Sequence, residues 1–245
     1  MRYALVSGSH DRVETAEAGA RGRAAGVRRL VPEGEPMARF GWWRLCLLLA
    51  GGFILGGGPL HPRGSMAEML GHPNWVLSHV LVTAGFLALL GGLVTYRREL
   101  ALPVRSARWT RWAIWATALQ LVEMVLHTAS VVDHHNLVAG NSTPVLTAHL
   151  AMAVVAYPIF GIAAAGWIVA TARDRALASP WVAWLGVIGA LAHGAAPVLV
   201  VTFGIMQARI LFPMVMLLAL WLLLAALWPL RGELRAGGAM PVTAS

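Results

Sequence analysis

The histidines are the side chains whose positions in this sequence suggest chemistry. There are nine of them, and four stand singly within long apolar stretches: His79, His127, His149 and His193. A polar ring is costly to bury among apolar side chains, so each is a candidate for metal binding, cofactor binding or proton transfer. A single such histidine more often only hydrogen-bonds to a neighbouring helix, but four together favour a binding site.

Glu123 adds a carboxylate to these histidines. It belongs to a set of polar residues spaced by three and four, which places them on one face of a helix: Gln120, Glu123, His127, Ser130 and His134. No basic residue lies in the neighbouring turns, so Glu123 needs a metal ion, a histidine or a proton as its partner. Because Glu123 and His127 are four residues apart, they could bind one ion together.

We therefore predict a site for a transition metal ion (Zn, Fe or Cu), whose ligands are His79, Glu123, His127, His149 and His193. Glu123 and Asp133 are the candidate catalytic residues, as proton acceptors beside this ion. In this interpretation the protein is a membrane-bound, metal-dependent oxidoreductase or hydrolase that acts on a lipid-soluble substrate, such as a lipid or a quinone.

Other functions fit the same residues. The first is electron transfer by a b-type haem, with His79 and His149 as the candidate cofactor-binding residues; the nearby Glu123 carboxylate counts against it. The second is transport of protons or cations without a bound cofactor, although the polar residues stop near the middle of the apolar stretches. The third is a structural role as an assembly subunit, in which the histidines only pack.

Membrane helices are the elements that must position these residues. Of the 245 residues, 58% are hydrophobic and 12% are charged, and the mean hydropathy is +0.67. Such a chain needs lipid rather than water around it. Six apolar stretches approach the roughly 20 residues that cross a bilayer, at 42–58, 73–96, 112–132, 145–171, 181–202 and 210–229. The predicted fold class is therefore all-α, a polytopic membrane protein with six transmembrane helices.

The arginines predict the orientation of these helices. All 19 basic residues are Arg, a composition typical of GC-rich bacterial genomes, and they cluster at alternate ends of the stretches. Cytoplasmic loops carry such an excess, so both chain ends are expected in the cytoplasm of a multi-pass protein of the cell membrane. The four histidines then lie roughly 6 to 14 Å below the outer surface, at about 1.5 Å per residue. Because topology explains the basic charge, we expect no nucleic-acid partner.

Two terminal segments flank the predicted transmembrane domain of residues 41–230. Residues 1–40 are rich in Gly, Ala, Arg and Glu, which predicts a disordered cytoplasmic tail, and residues 231–245 predict a short one. Met37 is an alternative start that would remove most of the first tail.

The segment before the second stretch holds four residues that suit Cu(I): His61, Met66, Met69 and His72. We favour instead a short amphipathic helix that packs on the bundle through its methionines. Tryptophans near the ends of the stretches, Trp75 among them, are interpreted as anchors at the membrane interface. The sequence contains no phosphate-binding loop, zinc-protease motif or c-type haem attachment motif.

Overall fold

The structure is a computed structural model that describes residues 41–228. The predicted tails at 1–40 and 231–245 lie outside the described residues. The described range contains eight α-helices and no strand: α1 (Trp42–Gly57), α2 (Met66–Leu70), α3 (Asn74–Glu99), α4 (Val104–Ala129), α5 (His134–Val138), α6 (Pro144–Arg173), α7 (Pro180–Pro197) and α8 (Val215–Leu227).

Six helical segments are long and apolar enough to cross a membrane, which confirms the predicted fold class. With their short 3-10 and π turns they cover Trp42–Leu60, Asn74–Glu99, Val104–Val138, Pro144–Arg173, Pro180–Thr202 and Met206–Leu227. We number them spans 1 to 6. Span 3 begins eight residues before the predicted apolar stretch at 112, because the helix includes Arg105, Arg108 and Arg111. Such long side chains can reach the interface while their helix continues into the apolar layer.

The main helix contacts form a closed ring in the order α1, α3, α4, α6, α7, α8 and back to α1. Successive spans run in opposite directions, so the connections between them collect at two ends. The histidine end carries the connections at 61–73, 139–143 and 203–205. The arginine end carries those at 100–103 and 174–179. We call the adjoining halves of the spans the histidine half and the arginine half.

Glycines let several of these helices approach closely. A Cβ atom added at Gly57 would lie 2.8 Å from the carbonyl oxygen of Ser78, so α1 touches α3 at the histidine end. A Cβ atom at Gly161 would lie 3.0 Å from the Cα atom of Gly194, which brings α6 and α7 together. Small residues at such crossings are typical of membrane helices, whose association depends on close packing.

The main apolar core runs from the middle of the bundle to the arginine end. Its largest members are fully buried aromatic rings, and Trp167 meets Trp221 edge to face at 5.2 Å and Tyr96 at 6.3 Å between centroids. A second, smaller core of Leu70, Trp75 and Leu146 covers the histidine end. The predicted functional side chains therefore lie near this smaller core.

The short helix α2 forms as the amphipathic interpretation predicts. Ser65 caps it, because the Ser65 hydroxyl accepts the N–H of Glu68 while the Glu68 carboxylate accepts the N–H of Ser65. The Ser65 N–H holds the pKa of the Glu68 carboxyl below its usual value. Met66 and Met69 pack against the smaller core. The two methionines thus anchor α2 on the bundle.

Candidate metal centre

The polar face of α4 points into the bundle. Gln120, Glu123 and Ser130 are fully buried, and the His127 side chain is only 15% exposed. Val122 and Val125, between them, are exposed on the outer face of the same helix. The spacing of three and four therefore predicted which face of span 3 meets its neighbours.

Glu123 is the deepest ligand-type residue of this face, and four polar groups surround it. Its Oε1 atom lies 2.7 Å from Nδ1 of His149 and 3.9 Å from Nδ1 of His127. Its Oε2 atom accepts a hydrogen bond of 2.9 Å from the Gln120 amide. The Tyr157 hydroxyl lies beside the same carboxylate. Spans 3 and 4 thus meet through a carboxylate and two imidazoles.

Span 2 brings His79 to the same place. Its Nδ1 atom lies 2.6 Å from the carbonyl oxygen of Trp75, one turn earlier in α3, and 3.1 Å from the Ser78 hydroxyl. Its Nε2 atom is buried and has no hydrogen-bond partner among residues 41–228. Metal-binding histidines typically donate the N–H of one nitrogen to a carbonyl and keep the other free for the ion. His79 has this arrangement.

His61 joins the cluster from the end of span 1. Its ring lies 4.8 Å from the ring of His79 between centroids, and its Nδ1 atom lies 2.8 Å from the carbonyl oxygen of Pro62. Partial removal from water lowers the pKa of His61, although the hydrogen bond to Pro62 raises it. The neutral imidazole is the form that binds metals.

These side chains form two triads that share one histidine. In the first, ligand atoms of Glu123, His127 and His149 all lie within 4.8 Å of one another; in the second, the same holds for His61, His79 and His127. Ligands of a tetrahedral Zn site are about 3.3 Å apart, given Zn–N bonds of about 2.0 Å. Side-chain adjustments on the order of 1 Å would close either triad on an ion.

The structure brings together four of the five predicted metal ligands: His79, Glu123, His127 and His149. It places the fifth, His193, elsewhere, because that ring is buried against the ring of Tyr157 at 4.7 Å between centroids. His193 therefore adjoins the cluster through Tyr157.

Asp133, the second candidate catalytic residue, contacts the start of α6. Its Oδ2 atom accepts the N–H of Leu146 at 2.8 Å, and the residue is 3% exposed. The first N–H groups of a helix lack partners within the helix, and a carboxylate there is favourable. Asp133 thus fixes the helix that carries His149, and its role as a proton acceptor stays a prediction.

Sequence reasoning did not include three members of the cluster. It considered His61 only with the loop methionines, and it interpreted Trp75 as an interface anchor. Trp75 is in fact 1% exposed, and its ring lies 4.1 Å from that of His79 between centroids. Tyr157 could have been predicted from the sequence, because it lies eight residues after His149 and so on the same face of α6.

Comparisons with known proteins give one partial similarity. The chain is 38% identical over 72 residues to human TLC domain-containing protein 2, a stretch that is 27% of this chain and 27% of that protein. No protein-family model matches the chain, and no solved structure matches it. The chain thus spans about a quarter of the length of this relative, and its own membrane spans and polar cluster remain the main guide to its function.

Proposed function

We propose that this integral membrane protein binds a transition metal ion at Glu123, His127 and His149 and uses it as an enzyme acting on a lipid-soluble substrate. The observation that carries the proposal is the convergence of a carboxylate and two imidazoles from two spans on one buried point. Zn would activate a bound water for hydrolysis, whereas Fe or Cu would carry electrons.

The surroundings of the triad favour a cation. Within residues 41–228 no arginine contacts Glu123, so the charge of this buried carboxylate is balanced only by imidazoles and hydrogen-bond donors. A buried, unpaired carboxylate is unfavourable, and a bound divalent ion would offset that cost. Gln120 and Tyr157 would hold the carboxylate in place, as polar neighbours of metal ligands commonly do.

A groove on the lipid-facing side supports a lipid-soluble substrate. It has a volume of about 320 Å³ and lies between α3 and α4, lined by Val80, Thr83, Val125, Thr128 and Ala129. Two of these residues directly follow the ligands His79 and His127 in sequence. Such a groove next to the cluster could hold an apolar chain while its polar group reaches the ion.

The haem alternative ranks lower on the geometry of the rings. His127 and His149 stack with centroids 4.0 Å apart, and His79 lies 4.3 Å from His127. The ring of His127 thus lies between His79 and His149, the two candidate axial ligands, in the place that a porphyrin would need. Transport ranks lower as well, because a proton or cation needs available polar groups along its whole path. In the arginine half, the buried hydroxyls of Thr110 and Thr171 instead donate to carbonyl oxygens of their own helices.

The metal content of the purified protein tests the proposal. The full chain is purified in mild detergent without a histidine tag, and metals are measured per chain before and after loading with Zn(II), Fe(II) or Cu(II). Wild-type protein is expected to retain at least one ion per chain. Glu123→Gln and His149→Ala should each weaken binding tenfold or more in competition with a chelator, because each removes one ligand.

His135→Ala is the matched control, because this exposed histidine lies at the same end outside both triads. Its metal affinity should equal that of the wild type. Equal affinity in all four proteins, or no binding in any, would contradict the proposal.

A photoreactive fatty acid tests the substrate class in the same preparations. It should label the α3–α4 groove, and Val125→Trp should reduce labelling by filling the groove. Leu87→Trp, on the lipid-exposed surface of α3 outside the groove, should leave labelling unchanged. Labelling that does not respond to Val125→Trp would remove the lipid-soluble substrate from the proposal.

A further inference from the structure

We infer that the histidine end holds two metal ions per chain, one on each side of His127. This inference rests on the proposed function and extends it, because the second ion lies at His61, His79 and His127. The sequence pattern predicts a single ion, and His61 is not among its predicted ligands.

The order of the rings separates the two triads. The ring centroids of His149 and His127 are 4.0 Å apart, those of His127 and His79 are 4.3 Å apart, and those of His79 and His61 are 4.8 Å apart. The rings therefore run from His149 to His61 with His127 in the interior of the series. Glu123 lies at the His149 side, where its Oε1 atom is 2.7 Å from that ring.

The second triad has the features of a metal site in its own right. His61 and His79 each direct Nδ1 to a backbone carbonyl, of Pro62 and of Trp75, which leaves Nε2 of each ring for an ion. The Nε2 atom of His79 is buried without a hydrogen-bond partner in the described part of the chain. Such an orphaned buried nitrogen is unfavourable unless a ligand fills the space beside it.

His127 can serve both ions as an imidazolate: binding of the second ion releases its N–H proton to water, and both ring nitrogens then have a lone pair. Its Nδ1 atom lies on the side of Glu123, at 3.9 Å, so its other nitrogen is left for the second triad. The two sites also differ in chemistry. The first offers a carboxylate and suits Zn or Fe, while the second offers only imidazoles and also suits Cu.

Metal stoichiometry tests the inference on the full chain loaded with Zn(II). Wild-type protein should bind two ions per chain. Glu123→Gln should bind one, at the second triad, and His61→Ala should bind one, at the first. His127→Ala should weaken both sites, and the control His135→Ala should still bind two.

A Cu(II) titration of the wild-type protein tests the inference without relying on variants that could fail to fold. In a Cu(II) titration, the electron paramagnetic resonance signal per chain should rise over the first equivalent and fall over the second, because two ions that share an imidazole couple magnetically. A signal that doubles without coupling would contradict the shared ligand.

The outcomes separate this inference from the proposed function. A single ion in the wild type, lost in both Glu123→Gln and His61→Ala, would show one five-ligand site and overturn the two-ion inference alone. A single ion lost only in Glu123→Gln would overturn it too. Binding of no ion would overturn both.

Discussion

The histidine half and the arginine half of the bundle use the same six spans but fill their interiors differently. In the histidine half, the buried side chains include His79, Glu123 and His149, and each belongs with His127 to a triad whose ligand atoms lie within 4.8 Å of one another. In the arginine half, Trp167 and Trp221 meet edge to face within a continuous apolar core. The arginine half resembles an ordinary membrane bundle that is held by packing.

This difference indicates a division of roles between stability and function. Buried ionisable groups in a membrane are unfavourable and are retained where they bind or react. Close packing of aromatic rings and glycines stabilises the helix contacts without any polar group. Substitutions in the two halves should therefore affect different measurements.

The largest loss of stability is expected in the arginine half. Trp221→Ala removes a fully buried ring that packs on Trp167 and on Gly186. The cavity should lower the free energy of unfolding by about 3 to 5 kcal/mol. Thermal unfolding in detergent measures this loss. The metal content of the protein that remains folded should equal that of the wild type, and a parallel loss of metal would mean that the halves are not independent.

A smaller loss is expected where α7 meets α8. A Cβ atom at Gly189 would lie 2.8 Å from the carbonyl oxygen of Met214 and even closer to the backbone nitrogen of Leu218, so Gly189→Ala must push the helices apart. We expect a loss of about 1 to 3 kcal/mol.

Gly52→Ala is the matched control for this prediction, because a Cβ atom at Gly52 meets nothing within 4 Å. Alanine is also the better helix former, so this variant should be at least as stable as the wild type. If Gly189→Ala unfolds at the same temperature as Gly52→Ala, the close contact does not limit stability.

The smallest effect is expected at Asp133, in the histidine half. Asp133→Ala removes the acceptor for the Leu146 N–H and should cost about 1 to 2 kcal/mol. Asp133→Asn keeps an acceptor and should restore most of that stability. Once a reaction is known, its rate separates the roles of this residue: an unchanged rate in Asp133→Asn supports helix capping, and loss of the rate with stability intact supports proton transfer.

Much of the fold could be predicted from the sequence, because the length of a hydrophobic stretch is a strong indicator of a membrane-spanning helix. All six spans lie where the apolar stretches predict them, and the structure adds the arginine-bearing first turns of span 3. The inward face of α4 also followed, since polar residues at spacings of three and four can share only one face.

The sequence predicted only some of the residues that form the cluster. His79, Glu123, His127 and His149 converge as the shared depth predicts, but depth does not fix rotation about the helix axis. His193 therefore lies in a predicted span, yet its ring packs on Tyr157 and not in either triad. His61 was missed because its position depends on the close approach of α1 to α3 at Gly57, a contact that the sequence pattern does not reveal.

The closed ring of helices has a consequence for how the protein is made. Because α1 contacts α8, the ring closes only after the last span has entered the membrane. The spans that carry Glu123, His127 and His149 are adjacent in sequence, so that triad can assemble as soon as α6 has been inserted. Premature termination after α7 should then leave the triad formed while the apolar faces of α1 and α7 lack their partner. Such a truncated protein would differ from the full chain in the unpartnered faces of α1 and α7, and its triad would be unchanged.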